Sequence, residues 1–353
     1  MLHVGKEVQC WVICISKEIT SGLWVKLPDA PPLSNLRFRH FRGASDYPLM
    51  VAIVDGMKEA DQLELTTSVE EIANEFRHLE HCDPYRDFLI VEVDGKVIGY
   101  TRIWWSKDPS GLYLYNHFAN LLPEWRGKGI RNAMLRYNER KLREMTHTQP
   151  SDSPRAFQSV VADSEKDWIS VLTNEGYQVF RYGFRMVRPT LADIPDLSFP
   201  EAIEVRPVKP EHYRAILDAW NEACKDMRSQ IPISDEEFKW FQESPMFNPS
   251  LWQVAWHKDE VVGTVLNFID ERENKEYKRK RGYVELISVK RPWRGRGIAS
   301  ALIARSFRVL KQHDMTEATL GVDAENPSGA LHLYTRMGFQ VQKKTVFYRK
   351  PLP

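Results

Sequence analysis

The sequence has few cysteines, no long apolar run and no excess of either charge. Its 353 residues contain four cysteines, which are scattered and form neither a C-x-x-C pair nor a zinc-ligand pattern with histidine. We therefore expect no metal site and a reducing compartment, the cytoplasm. Lys and Arg number 49 against 48 Asp and Glu. Because the net charge is close to zero, the protein as a whole is not expected to attract nucleic acid or an anionic membrane.

The apolar run Val8 to Ile15 is too short to span a membrane, and no signal-peptide pattern accompanies it. Two apolar segments in residues 1–35 could pair as a hairpin across Ser21-Gly22, and a proline-rich tether follows them. We assign no function to this extension. The expectation is a soluble, cytoplasmic protein without a membrane partner.

An internal repeat organises the rest of the chain. WRGKGI at 125–130 is matched by WRGRGI at 293–298. A β-hairpin pattern precedes each copy, with turns at Asp94-Gly95 and Lys258-Asp259, and an aromatic segment follows each copy, EGYQVF and MGFQVQ. The chain is therefore predicted to contain a duplicated αβ unit.

A proline-rich segment separates the two copies. Residues 188–207 carry four prolines and no helical period, which is typical of an inter-domain linker. We predict an N-terminal extension over 1–35, a first domain over 36–188, a linker over 189–202 and a second domain over 203–353. In the second domain, strand and helix patterns alternate, which favours a mixed α/β sheet.

Glycines and arginines are concentrated at the predicted start of a helix over 297–312. A helix N-terminus offers unpaired N–H groups and a partial positive charge, and glycines let an anion approach the backbone. RGRGIA at 294–299 is therefore typical of a pyrophosphate-binding loop, with Arg294 and Arg296 adding charge. The spacing fits neither a Walker loop nor a dinucleotide fingerprint. An ordinary arginine-rich loop is the alternative, and the matched second copy disfavours it.

The same segment fits the Arg/Gln-x-x-Gly-x-Gly/Ala signature of the GNAT superfamily of N-acetyltransferases. VDAENPSGALHLYTRMGF at 322–339 resembles that family's later motif of an asparagine, a helix, a tyrosine and a terminal Gly-Phe. The tandem arrangement looks most like the mycothiol synthase group. The spacing from Asn326 to Tyr334 is one residue longer than the commonest family form, which leaves the contact of Asn326 open.

The resemblance implies two tandem domains, each with a mixed, mostly antiparallel central sheet flanked by helices. It also implies acetyl-CoA as co-substrate, with no metal. In this family two strands part after a bulge, and the pantetheine arm lies along the strand equivalent to 282–289. The implied contacts to acetyl-CoA come from Val289, Arg294, Gly295, Arg296, Gly297, Ile298, Ala299 and Asn326.

Acetyl transfer needs a neutral amine, a polarised thioester and a proton for the departing thiolate. The resemblance places Tyr334 near the sulfur of CoA as the proton donor; simple packing of a helix on the sheet is the alternative. Glu285 lies mid-strand, where a charge is costly unless it faces a cleft, and is the candidate base. A solvent-exposed glutamate on an edge strand is the alternative. Tyr283, two residues earlier, would face the same cleft.

These features predict an acetyl-CoA-dependent N-acetyltransferase that acts in the second domain, by direct attack of a primary amine. The acceptor is a small-molecule or peptide amine. A non-catalytic acyl-CoA-binding or regulatory module is the alternative. The basic run over 275–281 favours a solvated loop over a nucleic-acid site.

The first domain is predicted not to catalyse. Alignment of the two copies puts Leu172 at the position of Tyr334, and leucine cannot donate a proton. The other counterparts of the second-domain residues are Ser164 for Asn326, Arg131 for Ala299 and His117 for Glu285.

Overall fold

A computed structural model describes residues 24–150, 153–226, 231–325 and 329–352. Asn326 and the hairpin predicted at Ser21-Gly22 lie outside the described residues. The strands are β1 (Trp24–Val25), β2 (Leu36–His40), β3 (Phe88–Val93), β4 (Lys96–Lys107), β5 (Tyr113–Leu121), β6 (Arg155–Ala162), β7 (Gln178–Arg188), β8 (Glu204–Val205), β9 (Gln253–His257), β10 (Glu260–Ile269), β11 (Arg281–Val289), β12 (Glu317–Asp323) and β13 (Gln340–Pro351). The helices are α1 (Tyr47–Asp61), α2 (Val69–Arg77), α3 (Pro84–Asp87), α4 (Ile130–Met145), α5 (Lys166–Asn174), α6 (Tyr213–Cys224), α7 (Asp235–Gln242), α8 (Glu271–Glu276), α9 (Ile298–Gln312) and α10 (Ala330–Arg336).

The duplicated unit is visible in the order of these elements. We call residues 36–188 the first repeat and residues 203–352 the second repeat. The hairpin β3–β4 turns at Asp94 and Gly95, both with positive φ, and the hairpin β9–β10 turns at Lys258. Helices α4 and α9 follow equivalent strands, β5 and β11. The predicted α/β fold is confirmed, and α8 is the helix of the second repeat that the sequence patterns did not predict.

The two repeats share one sheet of 13 strands, in the order β1-β2-β3-β4-β5-β6-β13-β7-β12-β11-β10-β9-β8. Most neighbours are antiparallel, and the pairs β5–β6 and β11–β12 are parallel. The last strand of each repeat crosses over to the other repeat. Strand β13 lies between β6 and β7, and β7 lies between β13 and β12. The repeats are therefore joined by a reciprocal exchange of strands.

Apolar burial stabilises this exchange. Val346 and Tyr348 of β13 pack in the hydrophobic core of the first repeat, together with Leu135 and Trp168. Met186 of β7 packs in the core of the second repeat. Burying each such side chain is worth about 1.5–3 kcal/mol. Separation of the repeats would expose both sets of side chains and two rows of backbone groups.

Helix α9 is held against the sheet by its apolar face and by a glycine. Ile298, Leu302, Phe307 and Leu310 are buried in the core of the second repeat. A Cβ atom at Gly282 of β11 would lie 2.4 Å from Leu310, so a larger residue there would push the helix away. This close approach sets the position of α9 and of the loop that leads into it.

The strand exchange predicts that the repeats stay associated after the linker is cut. A protease site inserted at the exposed turn Glu201–Ala202 should yield two fragments that co-elute in native size-exclusion chromatography and separate in denaturant. Uncut protein in the same column is the control. Elution of two separate native fragments would contradict the exchanged sheet.

Candidate active site

The loop between β11 and α9 leaves backbone N–H groups open to a ligand. After a short turn over Arg291–Trp293, Gly295 and Gly297 have φ of 72° and 81°, a left-handed conformation that favours glycine. A Cβ atom at either glycine would meet no described atom within 4 Å. Gly297 caps α9, and within the described residues no side chain bonds to the first turn of the helix. The arrangement is suited to an anion.

A cavity of about 510 Å³ opens over this loop. We call it the loop cavity. The direction of the backbone groups of Val289, a residue of its wall, follows from the next residue, because Lys290 N donates to Val262 O of β10 at 2.9 Å. Because backbone groups alternate in direction along a strand, those of the preceding residue, Val289, point away from β10. The cavity wall includes Ala223, Asp226, Ile287, Ser288, Val289, Trp293, Arg294, Gly295, Gly297, Ile298, Ala299, Ser300, Gly329, Ala330, His332, Leu333, Tyr334 and Arg336.

The two arginines of the loop differ in their contacts. Arg294 donates to Val289 O at 2.9 Å and forms an ion pair with Asp226 at 2.6 Å. Hydrogen bonds from Arg291 and Arg294 lower the pKa of Asp226 to about 2, so the carboxylate is ionised at neutral pH. Arg296 is exposed and lies over the ring of Trp293, 5.0 Å from its centroid. Arg294 therefore stabilises the loop, and Arg296 places an exposed positive charge on the loop.

The loop of the first repeat has equivalent contacts. Arg126 donates to Leu121 O at 3.2 Å and forms two bonds to Asp61, at 2.7 and 2.6 Å. Lys128 lies over the ring of Trp125 as Arg296 lies over Trp293. Because both loops have these contacts, we infer that the contacts stabilise the conformation of the loop.

Strands β11 and β12 part in the middle of the sheet. They pair through Arg281, Gly282 and Tyr283, and the pairing ends there. The register of β11 against β10 shifts by one residue beyond this point, and Leu286 has a φ of 48°. A bulge with a left-handed residue turns the strand away from its neighbour. The result is a gap in the sheet next to Glu285.

Glu285 lies in this gap. Its Oε1 accepts a hydrogen bond of 3.0 Å from Gly321 N of β12. The half-buried side chain lines a second cavity, and burial raises its pKa to about 7, against a smaller opposing effect of Arg185. The carboxyl group can therefore take up and release a proton near neutral pH. Strand β11 is interior to the sheet, so Glu285 is not on an edge strand.

Tyr334 lies in the wall of the loop cavity. Its side chain is 6% exposed and its ring packs against Phe339 at 6.2 Å. Burial raises the pKa of its hydroxyl, and the charge of Glu285 raises it further. Tyr334 therefore packs α10 on the core and also lines the cavity, with Glu285 near enough to influence its ionisation.

The second cavity, of about 500 Å³, lies where the two repeats meet, and we call it the interface cavity. It contains both Tyr283 and Glu285, as alternation along β11 predicted. Its wall comprises Gln62, Leu63, Glu64, Leu65, Thr66 and Ala162 of the first repeat, Arg185 of β7, and Met246, Phe268, Asp270, Glu273, Arg279, Arg281, Tyr283, Glu285, Lys343, Lys344 and Thr345 of the second repeat.

The basic run over 275–281 contributes to this wall. Arg279 forms an ion pair with Glu64 of the first repeat at 2.5 Å, and Arg281 pairs with Glu317 at 2.7 Å. Their side chains are only 14% and 5% exposed. The prediction of a solvated loop is therefore wrong for these two residues. The run holds the two repeats together through acidic partners that lie far away in sequence.

The equivalent gap in the first repeat has different side chains, although a cavity of about 440 Å³ also opens there, between residues 118–120 of β5 and 160–162 of β6. Arg131 is 3% exposed, donates to Ala119 O at 3.1 Å and to Asp167 at 2.8 Å, and lies over Trp168. His117 forms a hydrogen bond of 2.7 Å with the hydroxyl of Tyr177, and burial lowers its pKa to about 3. It is therefore neutral near pH 7 and a weak base.

Two further features separate the first repeat from the second. Leu172, the counterpart of Tyr334, is fully buried. The register of β4 with β5 runs from Gly99–Leu121 to Lys107–Tyr113 without a shift, so the bulge of β11 has no counterpart. Pro31 of the N-terminal segment lies 3.6 Å from the position of a Cβ on Gly129 and covers the loop glycine from outside.

Comparison with known proteins identifies the fold. The model of the acetyltransferase (GNAT) family matches residues 55–151 and 213–339, more than half of the chain and both repeats. The chain belongs to the GNAT family. A crystal structure of a GCN5-related N-acetyltransferase from Sphaerobacter thermophilus is 26% identical, with a TM-score of 0.70, and the match covers 92% of this chain and 97% of that one.

Other relatives share parts of the molecule. A tandem GNAT protein from the clavulanic acid biosynthesis pathway has a TM-score of 0.63 at 15% identity, over 90% of this chain and 98% of that one, which shows a common fold. The N-alpha-acetyltransferase MAK3 of Arabidopsis thaliana is 38% identical over 101 residues, 28% of this chain. The match spans half the length of that curated relative.

Some residues of the site were not predicted from the sequence. Asp226, Gly321 and Arg185 contact or face predicted site residues, although no motif marks them. Alignment of the ends of α1 and α6 could have found Asp226 through its counterpart Asp61. Among the described residues there is no cluster of three potential metal ligands, and none of the helices combines the length and apolar content of a membrane span.

The two loop glycines offer a matched pair of variants. Both have nearly the same left-handed φ, 81° at Gly297 and 82° at Gly129, so the backbone strain of a substitution is similar. Gly297→Glu should lower acetyl-CoA affinity about 100-fold or more, because its carboxylate would face a bound phosphate. Gly129→Glu should leave affinity unchanged. Calorimetry measures both, and the parent should bind one acetyl-CoA per chain. Loss of binding in Gly129→Glu alone would show that the repeats have the opposite roles.

Proposed function

We propose that the protein is an acetyl-CoA-dependent N-acetyltransferase whose second repeat transfers an acetyl group to a primary amine by direct attack. The observation that carries the proposal is the gap between β11 and β12. Glu285 lies at the gap, where it binds Gly321 N, and in the wall of the interface cavity. Tyr334 lies in the wall of the loop cavity, near enough to Glu285 for the carboxylate to raise the pKa of the tyrosine hydroxyl. Two reactants could therefore meet there without sharing an entrance.

The loop cavity fits acetyl-CoA, which would supply the activated acetyl thioester. Gly295, Gly297 and the first turn of α9 offer N–H groups to a pyrophosphate, with nothing described above the glycines. The N–H of Val289 would hold the pantetheine arm, whereas its carbonyl already accepts a hydrogen bond from Arg294. Arg294 acts through the loop, because its guanidinium already binds Asp226 and Val289. The contact assigned to Asn326 stays a prediction.

Glu285 is the proposed base. The incoming amine must lose a proton before or during attack, and a base is most effective when its pKa lies near the working pH. The pKa of about 7 for Glu285 meets this requirement. The bond from Gly321 N fixes one carboxylate oxygen, which leaves the other free to accept the proton directly or through water.

Tyr334 is the proposed proton donor. Its raised pKa keeps the hydroxyl protonated at neutral pH, so a proton is available for the departing thiolate. Burial also keeps bulk water away from the sulfur. Leu172 at the equivalent position of the first repeat has no proton to give, which supports a single catalytic centre in the second repeat.

The relatives bear on the acceptor only in a general way. The Arabidopsis relative is named as an N-alpha-acetyltransferase, which makes a peptide N-terminus one candidate acceptor. The similarity to mycothiol synthase rests on the tandem arrangement and stays a prediction, as does the cytoplasmic location. A non-catalytic acyl-CoA-binding module is the alternative function, and the combination of Glu285 and Tyr334 at one gap favours the enzyme.

The role of Tyr334 can be tested without loss of packing. Tyr334→Phe keeps the ring that contacts Phe339 and removes the hydroxyl, so kcat should fall about 10²–10⁴-fold while acetyl-CoA affinity is retained. Thiol release measures kcat, and calorimetry measures affinity. Tyr348→Phe, a buried tyrosine in the core of the first repeat, is the control and should keep its kcat. An unchanged kcat in Tyr334→Phe would rule out the proton-donor role.

The role of Glu285 predicts a pH profile. A base acts in its ionised form, so kcat/KM should rise with pH through an apparent pKa near 7 and fall about tenfold per unit below it. Glu285→Gln should lower kcat/KM about 10²–10⁴-fold and remove this limb, leaving the ionisation of the amine itself. Profiles of parent and variant over pH 5.5–9 with one acceptor make the comparison. A limb near 7 that persists in Glu285→Gln would exclude Glu285 as the titrating group.

A further inference from the structure

The charges of the interface cavity are largely paired with one another. Glu64 contacts Arg279 at 2.5 Å, Lys343 at 3.0 Å and Arg281 at 3.5 Å. Glu273 forms an ion pair with Arg279 and accepts a hydrogen bond from Tyr283. These groups neutralise each other and hold the two repeats together. They leave little net charge to select a ligand.

Arg185 is the exception on this wall. It is exposed, and within the described ranges its guanidinium has no carboxylate at ion-pair distance. It lies over the ring of Tyr283, 5.5 Å from the centroid. Lys344 pairs opposite Phe184 in the ladder between β13 and β7 and lies over the ring of Tyr182 at 3.6 Å, so its ammonium group is on the other face of the sheet from Arg185. The carboxylate of Asp270, also in the wall, accepts hydrogen bonds from Thr66 and from Glu273 N. Arg185 is therefore the cation of this cavity that is placed to bind a ligand carboxylate.

Arg185 is also placed close to the proposed base. In the ladder between β7 and β12, Arg185 lies directly opposite Gly321, the residue whose N–H holds Glu285. Adjacent strands are about 4.8 Å apart. A small molecule could therefore contact the guanidinium of Arg185 and the carboxylate of Glu285 at the same time.

We propose that the acceptor is a small amine that carries a carboxylate, and that Arg185 binds this carboxylate. The proposal rests on the transferase function proposed above. A guanidinium binds a carboxylate through two parallel N–H bonds and thereby orients it. With the carboxylate on Arg185, the amine would face Glu285. A polycationic amine would bring more positive charge beside Arg185 and is disfavoured.

Matched acceptors test the proposal most directly. Each free amino acid is compared with its own primary amide, which keeps the amine and the side chain but removes the negative charge. Thiol release gives kcat/KM for both, expressed per concentration of neutral amine because the amide lowers the pKa of the amine. The parent should prefer the acids by about 10- to 100-fold, the range expected for a hydrogen-bonded ion pair.

Substitution of Arg185 should remove the preference. In Arg185→Gln, the acid-to-amide ratio of kcat/KM should fall about 10- to 100-fold, and Arg185→Lys should keep part of the preference. Because Arg185 also lowers the pKa of Glu285, both kinds of acceptor are measured at pH 9, where Glu285 is ionised in either protein. Arg37→Gln is the matched control, because Arg37 is also an exposed strand arginine over an aromatic ring, 5.4 Å from that of Trp24. The acid-to-amide ratio within each variant cancels effects on folding.

The outcomes separate this proposal from the function on which it rests. Equal turnover of acids and amides by the parent, or a ratio that Arg185→Gln leaves intact, would overturn the carboxylate site and leave the transferase standing. Preferred turnover of peptides or polyamines would do the same. Absence of thiol release with every acid, amide, peptide and polyamine would overturn both proposals.

Discussion

The hydrogen bond between Glu285 and Gly321 is the contact around which the candidate site is organised. Within a parallel pair of strands, the N–H of Gly321 would ordinarily bond to a backbone carbonyl of its neighbour. Here a side-chain carboxylate accepts it, so the ladder ends at Tyr283 without leaving the β12 donor unpaired. The bulge at Leu286 then turns β11 away. The sheet is opened at one point, and an ionisable group lies at that point.

Comparison of the two repeats distinguishes contacts that shape the loop, which both repeats have, from the proposed site residues, which only the second repeat has. Arg126 with Asp61 repeats Arg294 with Asp226, although the first repeat lacks Tyr334 and Glu285. These pairs therefore serve the shape of the loop, since they persist where the proposed chemistry is missing. The differences between the repeats are concentrated at the gap, where the first repeat has the buried side chains Arg131, His117 and Leu172 at the positions of the proposed site residues.

Local sequence patterns predicted most elements of the second repeat, because hydrophobic period, turn residues and helix caps act over a few neighbours. The predicted helix over 297–312 is α9, and the predicted strand over 282–289 is β11, each to within one residue. Helix α8 was missed because its six residues, ERENKE, contain no apolar period. The repeat also indicated which loop to examine, since two copies of WRG-x-GI at matched positions are a stronger signal than one.

The exchange of β7 and β13 could not be predicted in this way. A strand pattern shows which face is buried but not which neighbour it pairs with, and both strands would satisfy their own repeat equally well. The same limit applies to Arg281 and Glu64. The sequence pattern around each is typical of a surface residue, but in the fold the two side chains form a contact between the repeats. Arg185 is a further case, because its place opposite Gly321 depends on β7 crossing into the second repeat.

The exchange also gives the first repeat a part in the candidate site, although it has leucine at the position of Tyr334. Strand β7 carries Arg185 into the wall of the interface cavity, and the segment after α1 supplies Glu64 and Leu65 from the other side. A second repeat on its own would keep Glu285 and Tyr334, but it would lose the strand that pairs with β12 and seven of the eighteen residues of the cavity wall. If the proposed roles hold, residues of both repeats bind the acceptor, whereas the residues that transfer protons belong to the second repeat. The first repeat would then need its fold and its loop contacts but not the side chains of proton transfer.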